Sequence, residues 1–210
     1  MINQSNNTRQ FLLAGAVFAP LFYGVFILQM LTREGFDITK HPISALSLGD
    51  LGWIQSINFI VAGMLALLLA VGLRNVLVGG KGGTWAPILT GIFSMGIILA
   101  GLFATDPAFG FPVGTPNSMP TAMSSHAIVH SVGFYSAFTA LIAACFVLAR
   151  RFKIEKDTLW ARYSIAIGVI TPVLIMLGMS VFSGLAGLCF AIDGFLSMGW
   201  LSATAWRLRK

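Results

Sequence analysis

Three histidines are the residues of this sequence best suited to metal chemistry. His126 and His130 form an H-x-x-x-H pair, and a helix places residues four apart on one face, about 6 Å apart along its axis. This spacing suits two ligands of one metal ion. Because His41 supplies a third imidazole, the sequence predicts a zinc site of His41, His126 and His130 with one open coordination position.

Ser44, Asp106 and Asp193 are the candidate catalytic partners of that zinc ion. A zinc-bound water, with a pKa of about 7, attacks an ester or an amide. Asp106 or Asp193 then serves as general base or orients a ligand, and Ser44 donates a hydrogen bond to the developing oxyanion. Asp193 interrupts a long apolar segment, and ionisable residues inside a membrane are costly and usually functional.

His130 and Asp193 are expected at similar depths in their segments. A rise of 1.5 Å per residue places His130 roughly 7 Å and Asp193 roughly 10 Å from the same end. The two side chains are therefore expected to face each other. The segment 33–52 is expected to fold over them and bring His41 and Ser44 to the same place.

Each of these residues also has a purely structural interpretation. An H-x-x-x-H pair is common on helices, and Asp193 has Asn58, Ser197 and Ser180 as candidate hydrogen-bond partners inside the bundle. His41 is equally well explained as an interfacial residue before a proline segment, and Asp106 as a turn former in T-D-P.

Composition places all of these residues in a membrane protein. The sequence is 57% hydrophobic and 10% charged, whereas a soluble domain is about 25% charged. Each membrane crossing needs roughly 20 apolar residues. The sequence predicts an all-α integral membrane protein, a six-transmembrane-helix bundle in one domain over 1–210, with spans at 11–32, 53–74, 86–105, 126–150, 161–183 and 186–206.

The basic residues predict the orientation of this bundle. Of the 13 Lys and Arg residues, all except Arg33 and Lys40 fall on one side, which marks that side as cytoplasmic and places both termini there. The histidines and the two long loops, 33–52 and 106–125, then lie outside. PISALSL in the first loop predicts a short helix lying in the interface. Because the charges follow the span ends, the net charge of +6 does not indicate nucleic-acid binding.

Three stretches resemble a known family. HPISALSLGDLGWIQSINFIVAGMLALLLAVGLR, LAGLFATDP and HAIVHSVGFYSAF are similar to the bacterial multi-pass membrane family catalogued as domain of unknown function 998. The resemblance implies a six-span fold in the bacterial inner membrane and marks Ser44, Asp106 and His130 as motif positions; it supplies no activity. A second likeness, through Pro42, Ile43, Ser44 and His130, is to DRAM-type proteins and GPI-lipid remodelling factors.

Three functions remain open at this point. The first is a zinc-dependent intramembrane hydrolase or transferase acting on an outer-leaflet lipid, which resembles the ceramidase-like superfamily in its chemistry only. The second is a non-enzymatic membrane protein that binds a ligand, senses pH or packs against a partner. The third, a haem or quinone redox protein, is disfavoured because paired haem ligation needs histidines on facing helices.

Overall fold

The computed structural model describes residues 6–181 and 183–209, and six of its helices are long and apolar enough to cross a membrane. The predicted all-α six-helix architecture is therefore confirmed, and the chain is a multi-pass membrane protein. Its assignment to one domain over 1–210 stays a prediction. The helices are α1 (Asn6–Thr32), α2 (Gly52–Val76), α3 (Trp85–Leu102), α4 (Ser125–Ile154), α5 (Thr158–Met176) and α6 (Ala186–Leu208).

The six helices form a closed ring in chain order. Each helix packs against the next, and α6 returns to pack against α1. Small residues allow close approach: a Cβ atom added to Gly96 on α3 would lie 2.4 Å from the carbonyl oxygen of Gly133 on α4. Such contacts replace the hydrophobic driving force that is lost when the surroundings are lipid.

The fifth helix ends earlier than the sequence predicted. Regular α-helix stops at Met176 and continues as one π-helical turn, Leu177–Val181, whereas the predicted span ran to 183. Pro172 lies inside α5 and has no amide hydrogen to donate to the preceding turn, so the helix is already weakened before the π turn begins. Phe182, within the predicted span, lies outside the described residues.

The two ends of the bundle differ in character. One end, called here the loop end, carries the first loop, 33–51, and the second loop, 103–124. The opposite end, called here the basic end, has short connections tied down by arginines: Arg74 donates to the Gly83 carbonyl and Arg151 to the Leu77 carbonyl. The prediction that the basic end is cytoplasmic stays a prediction.

The first loop enters the bundle instead of lying flat on it. A 3-10 helix, Ile43–Ser47, follows Pro42 and is called here the cap helix. The chain then turns at Gly49, whose φ of 71° favours glycine. The short helix expected from PISALSL is present, and its Leu46 has no exposed surface because it packs among the helices. Its predicted position in the membrane interface stays a prediction.

Candidate functional site

A cavity of about 200 Å³ lies in the centre of the ring, beneath the cap helix. Aromatic rings from several helices form its wall. Phe134 and Phe138 are one turn apart on α4, with ring centroids separated by 4.7 Å, and Phe190 of α6 meets Phe134 edge-on at 5.8 Å. Phe22 of α1 and Phe59 of α2 complete the aromatic wall. The cavity is therefore a predominantly apolar site inside the membrane-spanning region.

Four polar side chains interrupt this apolar wall. Ser44 comes from the cap helix, Thr105 from the start of the second loop, and His130 and Ser131 from α4. Ser131 donates its hydroxyl hydrogen to the Ala127 carbonyl. Among the described residues that line the cavity, none is Lys, Arg, Asp or Glu. The site thus offers a small number of uncharged polar contacts at its upper part.

The imidazole of His130 is held in one orientation. Its Nδ1 atom lies 2.8 Å from the carbonyl oxygen of Phe103, just beyond the end of α3, where backbone carbonyls have no partner within the helix. A carbonyl only accepts, so Nδ1 must carry the hydrogen. The tautomer follows from this partner, and it leaves Nε2 of the neutral ring as a hydrogen-bond acceptor.

Two residues connect the cavity with the outer surface of the bundle. Tyr135 of α4 and Met179 of the π turn line the cavity and are both exposed, and the Tyr135 hydroxyl lies 3.7 Å from the Met179 sulfur. Tyr135 is about ten residues, or roughly 15 Å, along α4 from Ser125, a distance that is within the thickness of the hydrocarbon core of a bilayer.

Backbone contacts hold the cap helix in place above the cavity. The Arg33 guanidinium donates to the carbonyl oxygens of Leu46 at 3.1 Å and Leu48 at 2.6 Å. These carbonyls lie at the end of the cap helix, where they lack helical partners. Arg33 also stands 5.5 Å above the ring of Phe111 in the second loop. One side chain thereby joins α1, the cap helix and the second loop.

His41 joins the first loop to the second. Its Nδ1 accepts a hydrogen bond from the Asp37 amide at 2.9 Å, and its Nε2 lies 3.0 Å from the Phe109 carbonyl oxygen. Because the first partner only donates and the second only accepts, the ring is the neutral Nε2–H tautomer with both nitrogens engaged. Its faces pack near Phe36 and Phe111.

The three histidines do not fit the predicted shared zinc ion in this arrangement. His41 has no lone pair left for a metal, and Nδ1 of His130 is bound to a backbone carbonyl. His126 is exposed, with its ring edge-on to Phe103 at 5.4 Å. Over residues 6–181 and 183–209, no group of three His, Cys, Asp or Glu side chains is placed to hold a metal ion.

Asp106 lies in the second loop, away from the cavity wall. One of its carboxylate oxygens accepts the Ser124 amide hydrogen at 2.8 Å. Ser124 is itself the N-cap of α4 and accepts from the Ala127 amide. A carboxylate at this helix N-terminus is favourable because free amide hydrogens and the helix dipole point towards it. Asp106 thus bonds across the second loop to the start of α4, and it is not the local turn former that T-D-P indicated.

Asp193 is buried in α6 but does not line the cavity. The Thr171 hydroxyl of α5 lies beside its carboxyl group, yet neither Asp193 Oδ1 nor Thr171 Oγ1 makes a hydrogen bond of good geometry within the described chain. Two of the three anticipated partners bond elsewhere: Asn58 donates to the Phe22 carbonyl, and Ser197 to the Gly194 carbonyl. Of the six predicted site residues, the cavity therefore brings together Ser44 and His130.

The aromatic wall was missed in the sequence. Phe134 and Phe138 are four residues apart and follow His130 by one and two turns of the same helix. That spacing puts all three on one face, so the histidine and the phenylalanines were recognisable as one surface. The contribution of Phe190 from α6 had no such local signal.

This architecture defines a class: a six-helix membrane protein whose central cavity is covered by the cap helix. The particular family follows from comparison. Residues 16–207 match the family described as Protein of unknown function (DUF998), and the chain belongs to it. No curated protein and no solved structure matches the chain.

Proposed function

We propose that this protein binds a neutral, single-chain amphiphile taken from the bilayer. The hydrocarbon chain lies against the phenylalanine wall, and a hydroxyl or carbonyl headgroup lies near Ser44 and His130. The observation that carries this proposal is a central apolar cavity with a few polar groups beneath its roof and with two lining residues, Tyr135 and Met179, that are exposed on the outer surface of the bundle.

The volume of the cavity limits the size of the ligand. An apolar cavity of about 150 Å³ is enough to bind benzene, whereas drug-sized ligands occupy pockets of about 300–1,000 Å³. At about 200 Å³, the site accommodates a small headgroup and a segment of one chain. The rest of that chain extends outward past Tyr135 and Met179, so a two-chain phospholipid is too large.

The charge of the lining limits the headgroup. A charged headgroup buried without a partner costs several kcal/mol, and the described lining supplies no ionic partner. Hydroxyls and amides suit the site better, because Nε2 of His130 accepts a hydrogen bond and the Ser44 hydroxyl both donates and accepts. A long-chain alcohol or a monoacylglycerol meets both requirements.

The placement of lipid and protein in the cell is part of the proposal. The distribution of Lys and Arg favours a cytoplasmic basic end, which places the loop end and the cavity in the outer half of a bacterial inner membrane. Single cysteines at Glu34 and Lys81, in a chain lacking Cys145 and Cys189, test this with a membrane-impermeant maleimide. Intact cells should label the Glu34 site only; labelling of only the Lys81 site reverses the orientation.

A photoreactive ligand tests binding in the cavity. A long-chain alcohol carrying a diazirine in its chain is added to the protein in membranes, irradiated, and its attachment sites are mapped by mass spectrometry. We expect labels on the α4 stretch 134–138 and on α6 near Phe190. Ser131→Phe fills the cavity and should remove these labels, whereas Val132→Phe, on the exposed neighbouring position, should retain them. Equal labelling of the two variants contradicts the proposal.

Hydrolysis or acyl transfer is the second candidate function. It is favoured by one observation: the fixed ring of His130 leaves Nε2 able to accept a proton in the cavity that also holds the Ser44 hydroxyl. The purified protein should then release fatty acid from a monoacylglycerol, and His130→Asn should not. If the wild type binds the photoreactive alcohol and releases no acid, this second candidate is wrong and binding alone stands.

A further inference from the structure

A second concavity lies on the outside of the bundle, along the seam between α1 and α6. It has a volume of about 770 Å³. Its floor is made of small residues: a Cβ atom added to Gly24 of α1 or to Gly199 of α6 would meet no other atom within 4 Å. The missing side chains therefore create an open groove, called here the α1–α6 groove, on a surface that faces the bilayer.

The α1–α6 groove is longer than the depth of one leaflet. On α6 its lining extends from Phe195 to Arg207, about twelve residues or roughly 18 Å of helix, and half of the hydrocarbon core measures roughly 15 Å. On α1 the lining continues to Gly24 and Ile27, towards the loop end. The part of the groove nearest the basic end is therefore long enough for an acyl chain of that leaflet.

The groove ends in positive charge and indole rings. Arg207, Trp160 and Trp206 line it at the basic end, and the Arg209 guanidinium lies 4.0 Å from the centre of the Trp206 ring. Arg207 pairs with Asp157. Because Arg209 adds a second guanidinium group nearby, the net charge of these three side chains is positive. Indoles are typical of the headgroup level, and cationic side chains there attract anionic lipids.

We propose that the α1–α6 groove is a binding site for one anionic phospholipid of the leaflet at the basic end. An acyl chain lies over Gly24 and Gly199, and the phosphate lies beside Arg207 and Arg209. Rows of small residues also occur where membrane helices pair. The cationic, indole-rich end favours an anionic lipid over a second copy of this chain. A second copy would bring the same positive charge to the same place.

Lipid retention by the purified full chain tests this site. The protein is extracted in mild detergent, exchanged with phosphatidylglycerol and phosphatidylcholine of identical chains, and its bound phospholipid is measured by native mass spectrometry. We expect one retained phosphatidylglycerol, preferred over phosphatidylcholine. Arg209→Gln should reduce that preference about fivefold, the value of one cationic side chain near an anionic lipid.

Matched glycine variants identify the position of the bound lipid. The double variant Gly24→Leu/Gly199→Leu fills the groove and should lose the retained phospholipid. Gly91→Leu is the control, since Gly91 also faces open space but lies on α3, outside the groove. Ser131→Phe, in the central cavity, should leave phospholipid retention unchanged, which separates this site from the proposed function.

Two results would overturn the assignment. One is equal phospholipid retention by the wild type and the filled double variant. The other is a wild-type dimer that the double variant abolishes, which would make a second copy of the chain the occupant of the groove.

Discussion

Nδ1 of His130 lies 2.8 Å from the carbonyl oxygen of Phe103, so a side chain of α4 closes the end of α3 and at the same time lines the central cavity. The two roles can be separated by substitution. Asparagine places an amide donor near the position of Nδ1 but has no counterpart of Nε2, whereas phenylalanine keeps the ring and loses both nitrogens.

His130→Asn should therefore keep most of the stability of the protein, and His130→Phe should lose about 1–3 kcal/mol, since it leaves the partly buried Phe103 carbonyl unpaired. Thermal unfolding in detergent measures both effects. Both variants should bind the photoreactive alcohol more weakly, because both lack the Nε2 acceptor. Equal stability of the two variants would show that the bond to Phe103 contributes nothing.

His41 should matter more for stability than its position in a loop indicates. His41→Phe retains the ring between Phe36 and Phe111 but leaves the Asp37 amide and the Phe109 carbonyl without their partner. We expect a loss of about 1–3 kcal/mol and faster proteolysis of the first loop. His126→Phe is the matched control: His126 is exposed, and its substitution should change the unfolding temperature very little.

Acid should weaken the first loop through Asp37. The Thr39 hydroxyl, followed by the Thr39 amide, donates to this carboxylate and lowers its pKa below the ordinary value. A lowered folded-state pKa gives stability that is present above the unfolded pKa of about 3.9 and is lost as the pH falls through the lower folded value. The effect is small, since the Asp37 side chain is 39% exposed.

Comparison with Thr39→Val isolates this contribution. Between about pH 5 and about pH 3, the wild type should lose more stability than Thr39→Val, because the variant lacks the strongest of these hydrogen bonds. Histidine protonation is common to both proteins and cancels in the difference. An equal acid response of the two would mean that the Thr39 hydroxyl does not act on Asp37.

Asp193 should tolerate a neutral replacement. Its carboxyl group is 1% exposed, and no described hydrogen bond of good geometry reaches its Oδ1 atom. Asn has nearly the same shape and no charge to desolvate, so Asp193→Asn should be at least as stable as the wild type. Thermal unfolding of Asp193→Asn in detergent measures this. A loss of more than about 1 kcal/mol would contradict it and show that the carboxyl group makes an interaction that an amide cannot replace.

Six helices could be predicted from the sequence because the bilayer imposes a simple length requirement on apolar segments. The end of the regular α-helix in α5 could not be predicted, because the π turn at Leu177–Val181 is as apolar as the helix before it. The cap helix was recognised as a helix from its sequence. The burial of Leu46 inside the bundle could not be predicted, because hydropathy does not show which side of a short apolar helix packs against other helices.

The candidate site was harder to predict than the fold. Helical spacing is enough to place His130, Phe134 and Phe138 on one face of α4. It gives no information about the positions of backbone groups in the loops. His41 and Asp106 bind backbone groups of the loop end, and backbone contacts of this kind have no sequence signature. The cluster of histidines at one end of the chain indicated a zinc site, which stays a prediction, and the bonds of His41 and His130 to backbone carbonyls had no signal in the sequence.

The most direct test of the central claim is the mass of the molecule that the protein retains in its cavity. Native mass spectrometry of the gently extracted wild type should show one bound neutral single-chain species, Val132→Phe should show the same species, and Ser131→Phe should show none. Identical spectra from the wild type and Ser131→Phe, or a wild type without any such ligand, would contradict the account.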